Sequence, residues 1–493
     1  MKNLFQDTIV APATIPGTGA ISIIRVSGPG AFAIADAVVK LKSGSISAAN
    51  GYTIHFGVIS SEVPVISSEV PVISSEVEKS PAILDTVLVS VFRAPHSYTG
   101  EDSVEISTHA SAYIVSEAIR LLTEAGARMA EPGEFTKRAF LNGKMDLAQA
   151  EAVADVISST TEASHRVAMN QLRGGFSKEL EGLRAELLEM ASLLELELDF
   201  SEEDVEFADR EKLAGLVNGT LRHVEKLAAS FRQGNMIKNG IPVAIVGAVN
   251  AGKSSLLNAL VGEERAIVSA IKGTTRDTIE ETLQIGGLTF RFIDTAGIRE
   301  SEDQIEKIGI ERTFKKISEA EVILGVLDCT LPAAEFEEDL RLILGKTEGT
   351  GKSLFIILNK ADKLSQNDIN NFVTLANRIV SSIDNKPVII PLSAKTGSGL
   401  EELKSALSAS QIELLTAESG TIVTNLRHYE ALTASAVSLR RTAAALGSGI
   451  PTDLVAEDLR AAIASVNLIL GKDLGLSPES VLHNIFAHHC IGK

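Results

Sequence analysis

Gly247-Ala-Val-Asn-Ala-Gly-Lys-Ser254 fits the phosphate-binding loop pattern G-x-x-x-x-G-K-[ST]. An apolar run, Val243–Val246, precedes this stretch, and a helical pattern, Ser255–Leu260, follows it. Strand, loop and helix in this order are the context that the pattern requires, because backbone N–H groups of the loop and the helix N-terminus face the phosphates. We therefore predict a nucleotide-binding α/β domain around this loop.

Three further segments follow in the order and spacing of a guanine-nucleotide-binding domain: Thr274-Thr275, Asp294-Thr-Ala-Gly297 and Asn359-Lys-Ala-Asp362. Asp362 can accept hydrogen bonds from the N1–H and amino group of guanine, a pair that adenine does not offer, so the pattern favours GTP over ATP. Ser393-Ala394-Lys395 fits the loop behind the guanine oxygen. The hydroxyls of Ser254 and Thr275 suit Mg²⁺, and Lys253 can reach the phosphates.

Ile298 follows Gly297, where many such GTPases carry the glutamine that orients the attacking water. An apolar side chain cannot orient water. Either hydrolysis is slow or another group acts, and the nearby candidates are Glu300, Glu302, Asp303 and Glu306.

The composition of the chain limits the class of protein to which it can belong. A chain of 493 residues with 45% apolar and 22% charged residues is typical of a globular protein of two to four domains. We expect no membrane span, because no run of 18 apolar residues occurs, and a cytoplasmic location, because Cys329 and Cys490 are the only cysteines. The net charge of -18 argues against broad nonspecific binding of nucleic acid.

Strand-like and helical patterns divide the chain. Residues 1–140 contain β-branched runs at Ile21–Val26 and Thr86–Phe92 and a Val-Ile-Ser-Ser-Glu-Val repeat within residues 58–77, which we interpret as a duplicated surface loop. A hairpin is predicted across Gly286-Gly287. Helical stripes are formed by Leu180, Leu183, Leu187, Met190 and Leu194 and by Leu459, Ile463, Val466 and Leu470. Gly234–Gly240 is predicted to be a linker.

Several motifs outside the nucleotide segments make the chain resemble the MnmE (TrmE) family of tRNA-modification GTPases over nearly its full length. They are Asp7–Thr14 with Gly28, Tyr98–Asp102, Pro132–Phe135, Arg138–Asn142, Asp146–Ala152 and the tail Phe486–Lys493. The chain departs from the family at Thr108–Ser111, where Gly-His-Gly-Gly is usual, and in the repeat.

The resemblance implies a multidomain fold. An α+β N-terminal domain (1–140) binds folate and dimerises, and an all-α domain (141–238 and 408–493) carries the inserted α/β P-loop GTPase domain (239–407). The implied folate contacts are Arg25, Glu105, Lys144 and Lys493, with 5,10-methylene- or 5-formyl-tetrahydrofolate as the cofactor. Cys490 is implied either as a participant in one-carbon chemistry or as a buried structural thiol.

The resemblance also implies that K⁺ replaces an arginine finger, with Asn250, Ser269, Ile271 and Thr274 as its ligands, and that Glu306 positions the water. Mg²⁺ is assigned to Ser254 and Thr275. Residue chemistry and resemblance together predict a GTP site of Asn250, Ala251, Gly252, Lys253, Ser254, Ser255, Ser269, Thr274, Thr275, Asp294, Thr295, Ala296, Gly297, Asn359, Lys360, Asp362, Ser393, Ala394 and Lys395.

The implied activity is GTP hydrolysis coupled to modification of C5 of wobble uridine 34 in tRNA, yielding a carboxymethylaminomethyl or aminomethyl group. The implied partners are a second copy of the chain, an FAD-dependent MnmG-type subunit and tRNA. Two alternatives remain: a ribosome-assembly or signalling GTPase whose flanks bind partners, and a folate-dependent aminomethyltransferase with a regulatory module.

Overall fold

The computed structural model describes residues 6–60, 83–199, 210–264, 281–293, 317–381, 383, 386–412, 421–448 and 450–472. The chain divides into two compact units. The first is formed by the described residues of Met1–Ile157, Asn170–Ser192 and Leu459–Lys493, and the second by those of Ser158–Met169 and Leu193–Asp458. None of the described helices combines the length and apolarity that crossing a bilayer requires.

The first unit contains a seven-stranded sheet in the order β3-β4-β5-β6-β2-β1-β7. Its strands are β1 (Ile9–Pro12), β2 (Gly19–Ser27), β3 (Val39–Leu41), β4 (Thr53–Ser60), β5 (Ile83–Phe92), β6 (Ser103–Ala110) and β7 (Arg128–Met129). The strands predicted at Ile21–Val26 and Thr86–Phe92 are confirmed as parts of β2 and β5.

Alternating burial explains why one face of this sheet forms a core. Val87, Val89 and Val91 of β5 are buried, whereas Leu88 between them is exposed, as the period of two in a strand requires. The buried face packs in one cluster with helices α1 (Ala31–Val38) and α2 (Ala112–Glu124).

A buried charge network connects the other elements of this unit. Arg138, in helix α3 (Glu134–Leu141), has no exposed surface. Its guanidinium lies 2.8 Å from the Asp7 carboxylate, 2.9 Å from that of Glu134 and 3.4 Å from that of Glu101. Three family-like motifs of the sequence therefore meet at one arginine. The ion pairs of Arg138 hold these motifs together within the first unit, because a buried charge is tolerated only when it is paired.

Helices follow on both sides of the nucleotide segments. They are α4 (Leu147–Ser158), α5 (Glu162–Leu172), α6 (Gly175–Asp199), α7 (Arg210–Ala229) and α8 (Phe231–Asn239), and, after the nucleotide segments, α13 (Leu426–Gly447) and α14 (Thr452–Leu470). The leucine-rich stripes of α6 and α14 are buried, which confirms both predictions.

Helices from the two flanks pack together. In the first unit, Arg184 Nε of α6 donates to Asn467 Oδ1 of α14 at 2.6 Å. In the second unit, α7 packs on α13, and Arg440 pairs with Glu225 at 2.6 Å. These pairs bring together segments on either side of the nucleotide region, so the predicted insertion of that region into helical elements is confirmed.

The linker predicted at Gly234–Gly240 is wrong, because Phe231–Asn239 forms helix α8. Gly234 allows close packing of this helix. An ideal Cβ on Gly234 would lie 2.1 Å from the backbone carbonyl oxygen of Val423, so only glycine lets the helix approach that segment. Ser230 Oγ accepts a 3.0 Å hydrogen bond from the Val423 N–H, and the rings of Phe231 and Tyr429 stack at 4.7 Å.

The second unit contains a six-stranded sheet in the order β13-β12-β11-β8-β10-β9. Its strands are β8 (Ile241–Val246), β9 (Glu281–Ile285), β10 (Leu288–Phe292), β11 (Val322–Asp328), β12 (Ser353–Asn359) and β13 (Val388–Pro391). Neighbours pair in parallel except β9, which pairs antiparallel with β10. Leu288 pairs with Ile285, so the hairpin predicted across Gly286-Gly287 is confirmed.

Apolar clusters cover both faces of this sheet, as buried parallel strands require. The covering helices are α9 (Lys253–Glu264), α10 (Ala333–Thr347), α11 (Gln366–Val380) and α12 (Leu400–Ser410). Most of the predicted repeat within residues 58–77 lies outside the described residues; its first residues, 58–60, end strand β4.

Candidate nucleotide-binding site

The loops that follow four strands meet at one edge of the second sheet. Strands β8, β11, β12 and β13 run parallel, so their carboxyl ends, at Val246, Asp328, Asn359 and Pro391, lie side by side. Open α/β sheets bind ligands at this edge. The predicted phosphate loop, the Asn359–Asp362 segment and the Ser393 loop are therefore neighbours in space.

The phosphate loop connects β8 to α9, as predicted. Lys253 is the first residue of α9, and its Nζ donates to the carbonyl oxygens of Gly247 at 3.0 Å and Ala248 at 2.7 Å. The ammonium group thus lies over the loop that was predicted to receive phosphates. Asn250, at the loop apex, is exposed and has a left-handed backbone with φ of 63°. Ser254 is half-buried in the first turn of the helix.

Asn359 connects the phosphate loop to the segments that were predicted to bind guanine. Its buried Nδ2 donates to the Ala251 carbonyl at 2.8 Å, and its Oδ1 accepts from the Ala394 N–H at 3.1 Å. Gly252 has φ of 97°, and an ideal Cβ there would lie 2.2 Å from Asn359 Nδ2. A side chain at Gly252 would therefore displace the amide that joins the three segments.

Asp362 presents its carboxylate at an exposed position. Ser393 Oγ donates to Asp362 Oδ1 at 2.6 Å, and this bond lowers the pKa of the Asp362 carboxyl. The group is therefore charged at neutral pH, as a partner for the N–H groups of guanine must be. Lys395, in the same loop, is exposed, and Ala394 is half-buried.

Sequence reasoning missed Asp328, the last residue of β11. Lys360 Nζ lies 2.6 Å from its Oδ2. The available signal was an acidic residue at the end of the apolar run 322–327, because such a residue reaches the same sheet edge as the segment that ends β12.

Other predicted nucleotide residues lie outside the described part of the chain. They are Ser269, Ile271, Thr274, Thr275, Asp294, Thr295, Ala296, Gly297 and Glu306. Ser255 is described and is exposed on α9.

Two of the four predicted folate contacts form an ion pair in the first unit. Arg25 of β2 stands opposite Glu105 of β6, and their charged groups lie 2.8 Å apart. The Arg25 guanidinium also lies over the rings of Tyr98 at 5.1 Å and Phe135 at 5.5 Å. Lys144 Nζ is bonded instead to the Pro95 carbonyl at 2.9 Å, in the same loop as Tyr98. Lys493 and Cys490 lie outside the described residues.

Family models match almost all of this architecture. A model of the GTP-binding protein TrmE N-terminus matches residues 8–144, and a model of the MnmE helical domain matches residues 147–490. The tRNA modification GTPase MnmE of Bacteroides fragilis strain YCH46 is 48% identical over 490 residues, covering 99% of this chain and 100% of that protein.

The chain belongs to the MnmE family of tRNA modification GTPases. It is a GTP hydrolase that binds GTP and Mg²⁺. The MnmE of Flavobacterium johnsoniae is also 48% identical, with 99% of each chain covered. A crystal structure of Era in complex with MgGDPNP and 16S ribosomal RNA is 28% identical, with a TM-score of 0.27 over 40% of this chain and 66% of that one.

Proposed function

We propose that this MnmE-family chain is a K⁺-dependent GTPase that modifies C5 of wobble uridine 34 in tRNA together with an FAD-dependent MnmG-type subunit. The product carries a carboxymethylaminomethyl or aminomethyl group, and a tetrahydrofolate supplies the carbon. The observation that carries the proposal is the family match over 99% of the chain, joined to a phosphate loop and a base-binding segment linked through Asn359. We propose domain limits of 1–140, 141–238, 239–407 and 408–493.

The phosphate loop supports the assignment of the GTP contacts. Lys253 already places a cation over the loop carbonyls, and Gly252 leaves no Cβ between the loop and Asn359. We assign phosphate binding to Lys253 and the loop N–H groups, Mg²⁺ binding to Ser254 and Thr275, and base selection to Asp362. Bound Mg²⁺ would neutralise charge that develops on the phosphate oxygens.

Asn250 supports the proposed K⁺ site. It is an exposed amide at the apex of the loop, and an amide oxygen is a suitable ligand for a hard cation. The remaining proposed ligands are Ser269, Ile271 and Thr274. Glu306 is proposed to orient the attacking water, because Ile298 cannot.

The ion pair of Arg25 and Glu105 supports a folate site. Their side chains are 15% and 23% exposed, so a part of each remains open to solvent. A carboxylate suits the amino and N–H edge of a pterin, and lysines at 144 and 493 suit its glutamate tail. Tetrahydrofolate would supply a one-carbon unit. Two roles are proposed for Cys490: participation in the one-carbon chemistry, or that of a buried structural thiol.

The face of the first sheet opposite α1 and α2 supports a homodimer. It exposes Ile54, Phe56 and Leu88 to 68%, 52% and 49%, and Phe56 pairs directly with Leu88 across β4 and β5. Adjacent exposed apolar side chains of this size are typical of protein interfaces. We therefore propose that a second copy covers this face.

Nucleoside analysis of tRNA tests the proposed reaction. A bacterial strain without its own MnmE-family gene would be complemented with this chain or with its Lys253→Ala variant. We expect modified wobble uridine only with the unchanged chain. Unmodified uridine in both strains, with normal protein levels and GTP hydrolysis, would favour the ribosome-assembly or signalling alternative.

The cation and water assignments have separate tests. GTP turnover should be much faster in K⁺ than in Na⁺ at equal ionic strength, and equal rates would refute the K⁺ proposal. Glu306→Ala should keep nucleotide affinity and lose hydrolysis, whereas Glu302→Ala serves as the matched control and should keep both.

A further inference from the structure

Asp328 is held at both carboxylate oxygens beside the segment that recognises the base. Its Oδ2 accepts from Lys360 Nζ at 2.6 Å. Its Oδ1 accepts from the backbone N–H of Thr330 at 2.9 Å and from the Thr330 hydroxyl at 2.6 Å. The residue is 8% exposed. Position and orientation of this carboxylate are therefore set by β11 and the turn that follows it.

The carboxylate of Asp328 is charged at neutral pH. Burial by itself would raise the pKa of Asp328, but hydrogen bonds from Lys360 and Thr330 outweigh burial and lower it. Charge-assisted hydrogen bonds are roughly twice as strong as neutral ones. The hydrogen bond from Lys360 to Asp328 thus restrains the lysine side chain, which would otherwise be flexible.

Lys360 has an unusual backbone as well. Its φ of 65° is left-handed, a conformation that residues with a Cβ rarely adopt. Its neighbours are fixed by other elements, Asn359 by the phosphate loop and Asp362 by Ser393. The side chains of Asn359, Lys360 and Asp362 are therefore each held by a different neighbouring loop or strand end, and Asp328 is the residue that holds Lys360.

We propose that Asp328 is a positioning residue for nucleotide affinity. It holds the Lys360 side chain beside Asp362, so that the guanine base meets an ammonium group and a methylene chain that are already in place. The lysine side chain then loses no rotamer freedom when the nucleotide binds. The inference rests on the proposed guanine site and extends it to a residue on a different strand.

A double-mutant cycle tests the proposal with a fluorescent GDP analogue. Asp328→Asn and Lys360→Met should each weaken binding about ten-fold, and the double variant should bind no more weakly than Lys360→Met alone, because Asp328 acts through the lysine. The KM for GTP should rise with a much smaller change in kcat. Wild-type affinity in Asp328→Asn, or a double variant equal to the product of the singles, would overturn the proposal.

Two further variants keep the test decisive. If Asp328→Asn does not fold by circular dichroism, Lys360→Arg replaces it. Arginine keeps a cation for Asp328 and should retain affinity within about three-fold, whereas Lys360→Met should not; equal losses would overturn the proposal.

Asp362→Asn should shift preference from guanine to xanthine nucleotides. Absence of that shift refutes the guanine site, whereas the shift together with an inert Asp328→Asn refutes only the positioning role.

Discussion

The side-chain amide of Asn359 donates a 2.8 Å hydrogen bond to the backbone carbonyl of Ala251, so the end of β12 is attached to the phosphate loop. The two residues are 108 positions apart. Because the same amide accepts from the Ala394 N–H, a disturbance of the phosphate loop should reach the loops that we propose to bind the base.

Gly252→Ala should therefore weaken nucleotide binding by about ten-fold or more, since its Cβ would overlap the Asn359 amide and break a buried hydrogen bond. Equilibrium titration with a fluorescent GDP analogue measures the loss. Gly262→Ala is the matched control: it lies on α9, the helix that begins directly after Gly252, no atom lies within 4 Å of its ideal Cβ, and binding should be unchanged. Equal affinities in the two variants would contradict the role of Asn359.

Gly234→Ala should lower the melting temperature of the second unit. The new Cβ would meet the Val423 carbonyl at 2.1 Å, and overpacking of this kind costs about 1–3 kcal/mol. Calorimetry measures the shift. Gly215→Ala, on α7 with open space around its Cβ, should not lower the temperature, because alanine favours a helix by up to ~1 kcal/mol. A Gly234→Ala protein that melts like the control would argue against tight packing at Val423.

Arg138→Met should destabilise the first unit by about 3–5 kcal/mol, because it takes the Arg138 cation from the buried Glu101 carboxylate and leaves Glu134 with Arg128 alone. Hydrogen exchange of amide groups in β1 measures the change. Arg120→Met removes a cation from Glu117 and Glu124 on the exposed side of α2 and should cost far less stability, because solvent screens exposed ion pairs. Similar exchange rates in the two variants would show that the Arg138 network contributes little.

Acid should weaken the first unit through Glu134. Burial alone would raise the pKa of Glu134, but bonds from Arg128, the Glu131 N–H and Arg138 lower it. Its contribution to stability is therefore present above the ordinary carboxyl pKa of about 4.3 and is lost as pH falls through the lower folded value. Urea titrations between about pH 3 and 7 should show this loss.

Glu134→Gln supplies the comparison for the acid prediction. It should be less stable than the unchanged chain at neutral pH and should lose less stability on acidification. Glu101 acts in the opposite sense, because burial, its largest influence, raises its pKa. Parallel pH curves for the unchanged chain and Glu134→Gln would assign the acid response to other carboxylates.

Short stretches of the sequence were sufficient to predict several elements of this protein. The phosphate loop, the Gly286-Gly287 hairpin and the apolar stripes of α6 and α14 were all recognisable, because each depends on residues close together in the chain. The segment Asn359–Asp362, which we propose to bind the base, was recognisable for the same reason. Contiguous patterns thus predicted the nucleotide site and the classes of the main elements.

Tertiary structure decided what local pattern could not. Gly234 belongs to a helix because Val423, 189 positions later, packs against it, and no local signal distinguishes that glycine from one in a linker. Asp328 meets Lys360 only because parallel strands bring the ends of β11 and β12 together, and Arg25 meets Glu105 only through the register of β2 and β6. Long-range packing selects the partner of each charge, whereas the sequence by itself shows only that a charge is present.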